Sequence, residues 1–222
     1  MKILGILGSP RNNGNTALLL DAALDAAAGA GAETEKIGVA GLDLGFCIAC
    51  GKCYGTGECI YDDGVTMLQS KMKEADGIIL ASPNYIRTVT AQLKTLMDRS
   101  SLHVHCFLFS GKYGASVVTA GGNAGTEIAE FANEYLQACG AQTVGVVGAQ
   151  GAGVGALVDQ EAALARAAAL GEDLAAAIRE KRQYPDQAAA HAAFAERMKQ
   201  LVQMMAEHAP FQLEHWQNQG WL

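Results

Sequence analysis

Short apolar runs alternate along this chain with longer stretches in which alanine and leucine recur at helical spacing. The run Lys2-Ile3-Leu4-Gly5-Ile6-Leu7-Gly8 shows no polar alternation, the mark of a strand buried on both faces. It leads through polar residues 9–16 into an Ala/Leu-rich segment that predicts a helix to about Ala28. Further strands are predicted over 33–39, 77–81, 113–119 and 143–148, and helices over 65–74, 90–99 and 126–138. Five strands alternating with helices predict an α/β fold with a doubly wound, five-stranded parallel sheet. An Ala-rich helical stretch from Val158 to Lys181 closes a domain over 1–182. Tyr184-Pro185-Asp186 breaks the pattern, and residues 183–222 form an extension with a helix over 187–207 and an aromatic end, Phe211, Trp216 and Trp221. Exposed aromatics in a tail call for a cover, either the body of the chain or a neighbouring subunit, and we expect the neighbour.

Polar loops follow these strands at the carboxyl edge, where doubly wound sheets bind ligands. Residues 9–16 run from a strand into a helix N-terminus, whose unpaired N–H groups and dipole suit a phosphate. Ser9, Asn15 and Thr16 can add hydrogen bonds and Arg11 charge, although the same residues suit an ordinary N-capped helix. The loop is neither a G-x-x-x-x-G-K-[ST] nucleotide loop nor a G-x-G-x-x-G fingerprint. Loops 82–85 and 120–125, and a cysteine loop after the second strand, are expected to join it in one site.

That cysteine loop carries the most specific signal. Cys47, Cys50, Cys53 and Cys59 follow the spacing C-x2-C-x2-C-x5-C, with Gly51, Gly55 and Gly57 between them, where positive φ and close backbone approach are available. Several thiolates converging from one tight loop suit an iron–sulfur cluster. Structural zinc usually draws its cysteines as two separated pairs, disulfides need an oxidising compartment, and a cysteine-rich loop without metal is the remaining alternative. Residues 1–7 lack the pattern of a signal peptide, so a reducing, cytoplasmic compartment is expected. At 222 residues the chain can bury roughly 70% of its unfolded surface, with no room for a second catalytic domain. A formal charge of −7 without a basic stripe argues against nucleic acid, and no apolar run approaches the ~20 residues of a membrane span. Cys139 reads as a core thiol, Cys106 has no evident place, His103 and His105 read as surface or strand histidines, and Asp98 and Arg99 as partners of a helix end or subunit boundary.

Taken in order, Gly8-Ser9-Pro10-Arg11 through Gly14-Asn15-Thr16, the four cysteines, Asp62-Asp63-Gly64, Ser82-Pro83-Asn84-Tyr85 and Leu93-Lys94 through Asp98-Arg99 resemble the iron–sulfur flavoprotein family, in the NADPH-dependent FMN reductase branch of flavodoxin-like proteins. The likeness covers about 1–182. It implies FMN with its phosphate near Ser9, Arg11, Asn15 and Thr16, its ring flanked by Pro83, Asn84, Tyr85, Gly121 and Gly122, and a 4Fe-4S cluster on Cys47, Cys50, Cys53 and Cys59 beside it. It further implies a homodimer or homotetramer and an oxidoreductase that moves electrons between cluster and FMN, from a ferredoxin-like donor or NAD(P)H to a small or protein acceptor. The alternatives are a cluster-free NAD(P)H-dependent FMN or quinone reductase and a thiol-based redox sensor.

Overall fold

A computed structural model describes residues 1–222. Strands β1 (Lys2–Leu7), β2 (Glu33–Gly38), β3 (Gly77–Pro83), β4 (Tyr113–Ala120) and β5 (Gln142–Gly153) lie side by side in the order β2-β1-β3-β4-β5, all parallel. This is the flavodoxin-like doubly wound order, whose switch point lies between β1 and β3. The central strands β1, β3 and β4 are buried almost throughout, as their unbroken apolar runs require. At one edge β2 reads Glu-Thr-Glu-Lys-Ile-Gly, and its charges discourage pairing with another chain.

The sheet has a sixth strand that the periodicity does not predict. β5 runs on past Gly148 to Gly153, and β6 (Ala156–Leu157) folds back antiparallel against it. Ala149-Gln150-Gly151-Ala152-Gly153 contains no β-branched or aromatic residue to announce a strand. Pairing with β4 as far as Gln150, and then with β6, keeps it extended.

Helices α1 (Asn15–Gly29) and α7 (Gln160–Glu180) cover one face of the sheet, and α3 (Gly64–Glu74), α4 (Ala91–Arg99) and α6 (Thr126–Ala138) cover the other. On the first face α7 crosses α1 so closely that a Cβ at Gly171 would lie 1.9 Å from the Ala23 carbonyl oxygen, which only glycine avoids. Buried leucines such as Leu20 and Leu174 fill that layer, each contributing about 1.5–3 kcal/mol. Two one-turn helices, α2 (Lys52–Thr56) in the cysteine loop and α5 (Ser101–His105) after α4, complete the body.

The extension forms α8 (Pro185–Met204) and α9 (Pro210–Asn218). Its aromatics dock on the same chain rather than awaiting a neighbour. Trp216, only 2% exposed, packs with Phe107, Met198 and Val202, and its indole N–H donates to the His105 carbonyl at 2.8 Å. Trp221 stands edge-on to Trp216 at 5.3 Å. The body offers both an apolar socket and an acceptor for the indole, which is what a buried tryptophan needs. No helix is long and apolar enough to cross a membrane.

Candidate active site

The carboxyl ends of β1, β3, β4 and β5 surround a cavity of about 390 Å³, within the range of small-molecule sites. Ser9, Arg11, Asn15, Thr16, Pro83, Asn84, Tyr85 and Gly121 all line it, whereas Gly122 does not. Its floor is set by hydrogen bonds that follow from the loop sequences. The Ser9 hydroxyl accepts from the Arg11 N–H at 3.1 Å, the Thr16 and Thr119 hydroxyls meet at 2.6 Å, and the Asn84 N–H donates to the Thr119 carbonyl at 2.7 Å. Helix α1 has Gly14 as its N-cap and, like α6 to α9, no side-chain cap, whereas Asp63 and Thr90 cap α3 and α4. The first-turn N–H groups of α1 therefore remain available to an anion at the positive end of the dipole. What sets α1 apart is that this uncapped start borders the cavity at the carboxyl edge of β1.

Asn15 has a different task from the one expected. Its side-chain amide donates to the Gly153 and Ala156 carbonyls, both at 2.8 Å, so it ties α1 to the β5–β6 hairpin instead of pointing its N–H groups at a phosphate. Its Oδ1 and that of Asn84 are buried without a partner. A flavin, with ring N–H and ribityl hydroxyl donors, fits a cavity that combines orphaned acceptors with an uncapped helix start. The hairpin wall, Gly151, Gly153, Val154 and Gly155, also lines the cavity. Sequence reasoning missed it; the density of glycine after Gly148 was the available signal.

The cysteine loop forms a second cavity of about 240 Å³, lined by Cys47, Cys50, Cys53 and Cys59 together with Arg99. The backbone turns through left-handed conformations at Ala49, Gly51 and Gly57, with φ of 54°, 70° and 79°. Gly55, inside α2, does not. At Gly57 the positive φ favours glycine, and a Cβ there would press on the Phe211 ring of α9 at 2.5 Å. Burial raises the Cys53 thiol above its ordinary value, and the charges of Cys59, Cys50 and Cys47 raise it further. Four thiols lining one cavity are the donor type that an iron–sulfur core takes. No three His, Cys, Asp or Glu side chains are grouped so as to hold a metal ion.

This loop does not join the first cavity, contrary to the expected single site. The two cavities have no lining residue in common. β2 is an edge strand, and the chain after it is drawn to α4 and α5 on the second face. Arg99, whose side chain is 1% exposed, makes the tie. Its guanidinium pairs with Asp63, donates to the Gly45 carbonyl at 3.0 Å and to Cys59 Sγ at 3.1 Å, and lies 4.8 Å from the centre of the Tyr61 ring. Asp63 in turn caps α3 through the Val65 and Thr66 N–H groups and accepts from the Gly45 N–H at 3.0 Å. Burial pushes the Asp63 carboxyl up, but bonds from Arg99 and the backbone outweigh that and hold it below the ordinary range. Arg99, the last residue of α4, thus pairs with a helix end as expected, that of α3 through its cap Asp63, and also reaches the cysteine loop.

A model of the NADPH-dependent FMN reductase family matches residues 1–153. The chain belongs to this family. Its similarity to curated relatives places it with the iron–sulfur flavoproteins. It is 40% identical over 182 residues to an iron–sulfur flavoprotein of Archaeoglobus fulgidus, covering 82% of each chain. It is 48% identical over 139 residues to one of Methanocaldococcus jannaschii, covering 61% of this chain and 72% of the relative. Among solved structures, the NAD(P)H:quinone oxidoreductase of Methanothermobacter marburgensis aligns with a TM-score of 0.62 at 18% identity, covering 78% of this chain and 98% of that one, a likeness of fold.

This flavin-dependent oxidoreductase buries its two remaining cysteines and His103. Cys139 is fully buried in the core, as expected, and its thiol is pushed up by burial. Cys106 is buried too; burial pushes its thiol up to about 12, with Cys53 adding to the effect. His103 is buried in α5 and stacked on Phe109, and His105 is half-buried and stacked on Tyr54 of α2. Neither is a surface or strand residue. Asp98 pairs with Lys94 one turn earlier in α4.

Proposed function

We propose that this flavoprotein is an electron-transfer protein in which FMN occupies the β1–β5 cavity and Cys47, Cys50, Cys53 and Cys59 hold a 4Fe-4S cluster. The observation that carries the reading is that all four cysteines line one cavity, with a buried arginine donating to the sulfur of Cys59. A cluster exchanges one electron at a time and a flavin one or two, so together they connect a one-electron donor of the ferredoxin type to a small or protein acceptor.

The chain's own residues supply binding, orientation and charge. The start of α1 and Ser9 bind the phosphate, and Arg11 adds charge at the mouth. Asn84 and Tyr85 border the ring, Asn15 fixes the hairpin wall, and the four thiolates hold the metal core. Assembly as a homodimer or homotetramer completes the proposal, since Ile86 and Val154, 96% and 83% exposed, stand near the flavin cavity as apolar surface for a second copy.

A second reading, a cluster-free reductase taking hydride from NAD(P)H, is favoured by the lack of a group of side chains arranged around a single ion. Anaerobic rapid mixing separates the two. Reduced ferredoxin is expected to reduce the flavin faster than NADPH in the parent, and Cys→Ser replacement at any of the four positions is expected to abolish that preference. Fast NADPH reduction that survives all four replacements establishes the second reading.

A further inference from the structure

Arg99 has a geometry that a purely structural arginine does not need. Its buried guanidinium reaches both ends of the cysteine loop, Gly45 two residues before Cys47 and Cys59 at the far end. Asp63 takes Nη1, while Nη2 is directed to the Cys59 sulfur at 3.1 Å. The Tyr61 face, at 4.8 Å, covers the cation. Shielding of this kind strengthens the field of a charge, because little water screens it.

We infer that Arg99 is a positioning residue that sets the reduction potential at the cysteine site, acting through its hydrogen bond to the Cys59 sulfur, with Asp63 as its opposing charge. The inference rests on the proposed cluster. Adding one electron makes a thiolate-bound metal core one unit more negative, and no proton or bond need change. A hydrogen bond and a positive charge at the sulfur stabilise that more negative state and raise the potential, whereas the carboxylate behind them lowers it. The two members of the pair therefore act in opposite directions. Loss of Arg99 moves the potential down and loss of the Asp63 charge moves it up. Simple loosening of the loop gives no reason for opposite signs.

The test is a mediated redox titration of the anaerobically purified protein with dithionite as reductant, followed by electron paramagnetic resonance, with iron, sulfide and FMN content measured on the same samples. Arg99→Gln is expected to lower the midpoint at least tenfold in terms of the one-electron equilibrium, about 59 mV. Asp63→Asn, which keeps an oxygen able to cap α3, is expected to raise it. Arg99→Lys keeps the charge but loses the fork, and should fall between Arg99→Gln and the parent. If Arg99→Gln fails to fold, the order Arg99→Lys below parent below Asp63→Asn carries the decision. Variants that retain the cluster at the parent's potential, or shift in the same direction, overturn the inference while leaving the proposed function standing. A parent without iron and sulfide overturns both.

Discussion

Helix α1 should become more stable and bind FMN less well when it is given its own cap. Gly14 has φ −89° and ψ −176°, an extended conformation open to any residue, and its side-chain space is bounded by the Arg11 Cβ at 3.3 Å. In Gly14→Asp the carboxylate can accept from the N–H groups of Thr16 or Ala17. Replacing a glycine cap by such a residue is worth only a few tenths of a kcal/mol, on the order of 1 °C in Tm for a chain of this size. A phosphate on the same N–H groups loses hydrogen bonds worth about 1.5–3 kcal/mol, roughly a ten- to 150-fold weaker Kd. Repulsion between the two anions adds to this, on the order of 3 kcal/mol for unit charges about 5 Å apart at an effective dielectric of 20. The assay pairs thermal melts of the flavin-free protein with flavin fluorescence titrations using FMN and riboflavin. FMN affinity should fall while riboflavin, which has no phosphate, is affected much less and the flavin-free Tm rises. A higher Tm with unchanged FMN affinity would refute the phosphate assignment.

Removal of α9 by ending the chain at residue 209 should speed loss of iron from the anaerobic protein on exposure to air without changing its assembly mass, because Phe211 packs on Gly57 and Gln212 bonds His105 beneath α2; gel filtration and iron release check both. The buried His103 has its pKa lowered to about 3 by burial, with Lys73 contributing, against 6.5 unfolded. The unfolded state thus binds the proton first as pH falls, so stability is full above pH 6.5 and declines below it, by roughly 2 kcal/mol at pH 5. Denaturant melts should show His103→Phe with a flatter profile over that window, and an unchanged slope would count against the assignment. The two-residue turn between Tyr85 and Thr88 holds Ile86 and Arg87 at φ of 50° and 63°, so Ile86→Asn with Arg87→Gly should stabilise by about 1 kcal/mol in thermal melts.

The parallel core was legible because β1, β3 and β4 are apolar without interruption, a pattern that leaves few alternatives. The β5–β6 hairpin was not, because glycine and alanine carry no strand signal and only pairing keeps them extended. Eight of the nine residues expected around the flavin line the cavity, since the carboxyl edge of a doubly wound sheet fixes which loops meet. The order of strands also decided what failed. Nothing in the residues following β2 announces that the cysteine loop is drawn away from the switch point; that depends on Arg99, distant in sequence, reaching Asp63 and Cys59. The tail was misplaced for a related reason. Exposed aromatics announce a cover without naming it, and the cover proved to be Phe107 and the His105 carbonyl of the same chain.

The most direct test of the account is the iron, acid-labile sulfide, zinc and FMN content of the anaerobically purified parent beside its four single Cys→Ser variants. The account predicts about four iron and four sulfide with one FMN per chain in the parent, and in each variant a large loss of iron with FMN retained. A parent with full FMN but zinc or no metal would contradict it.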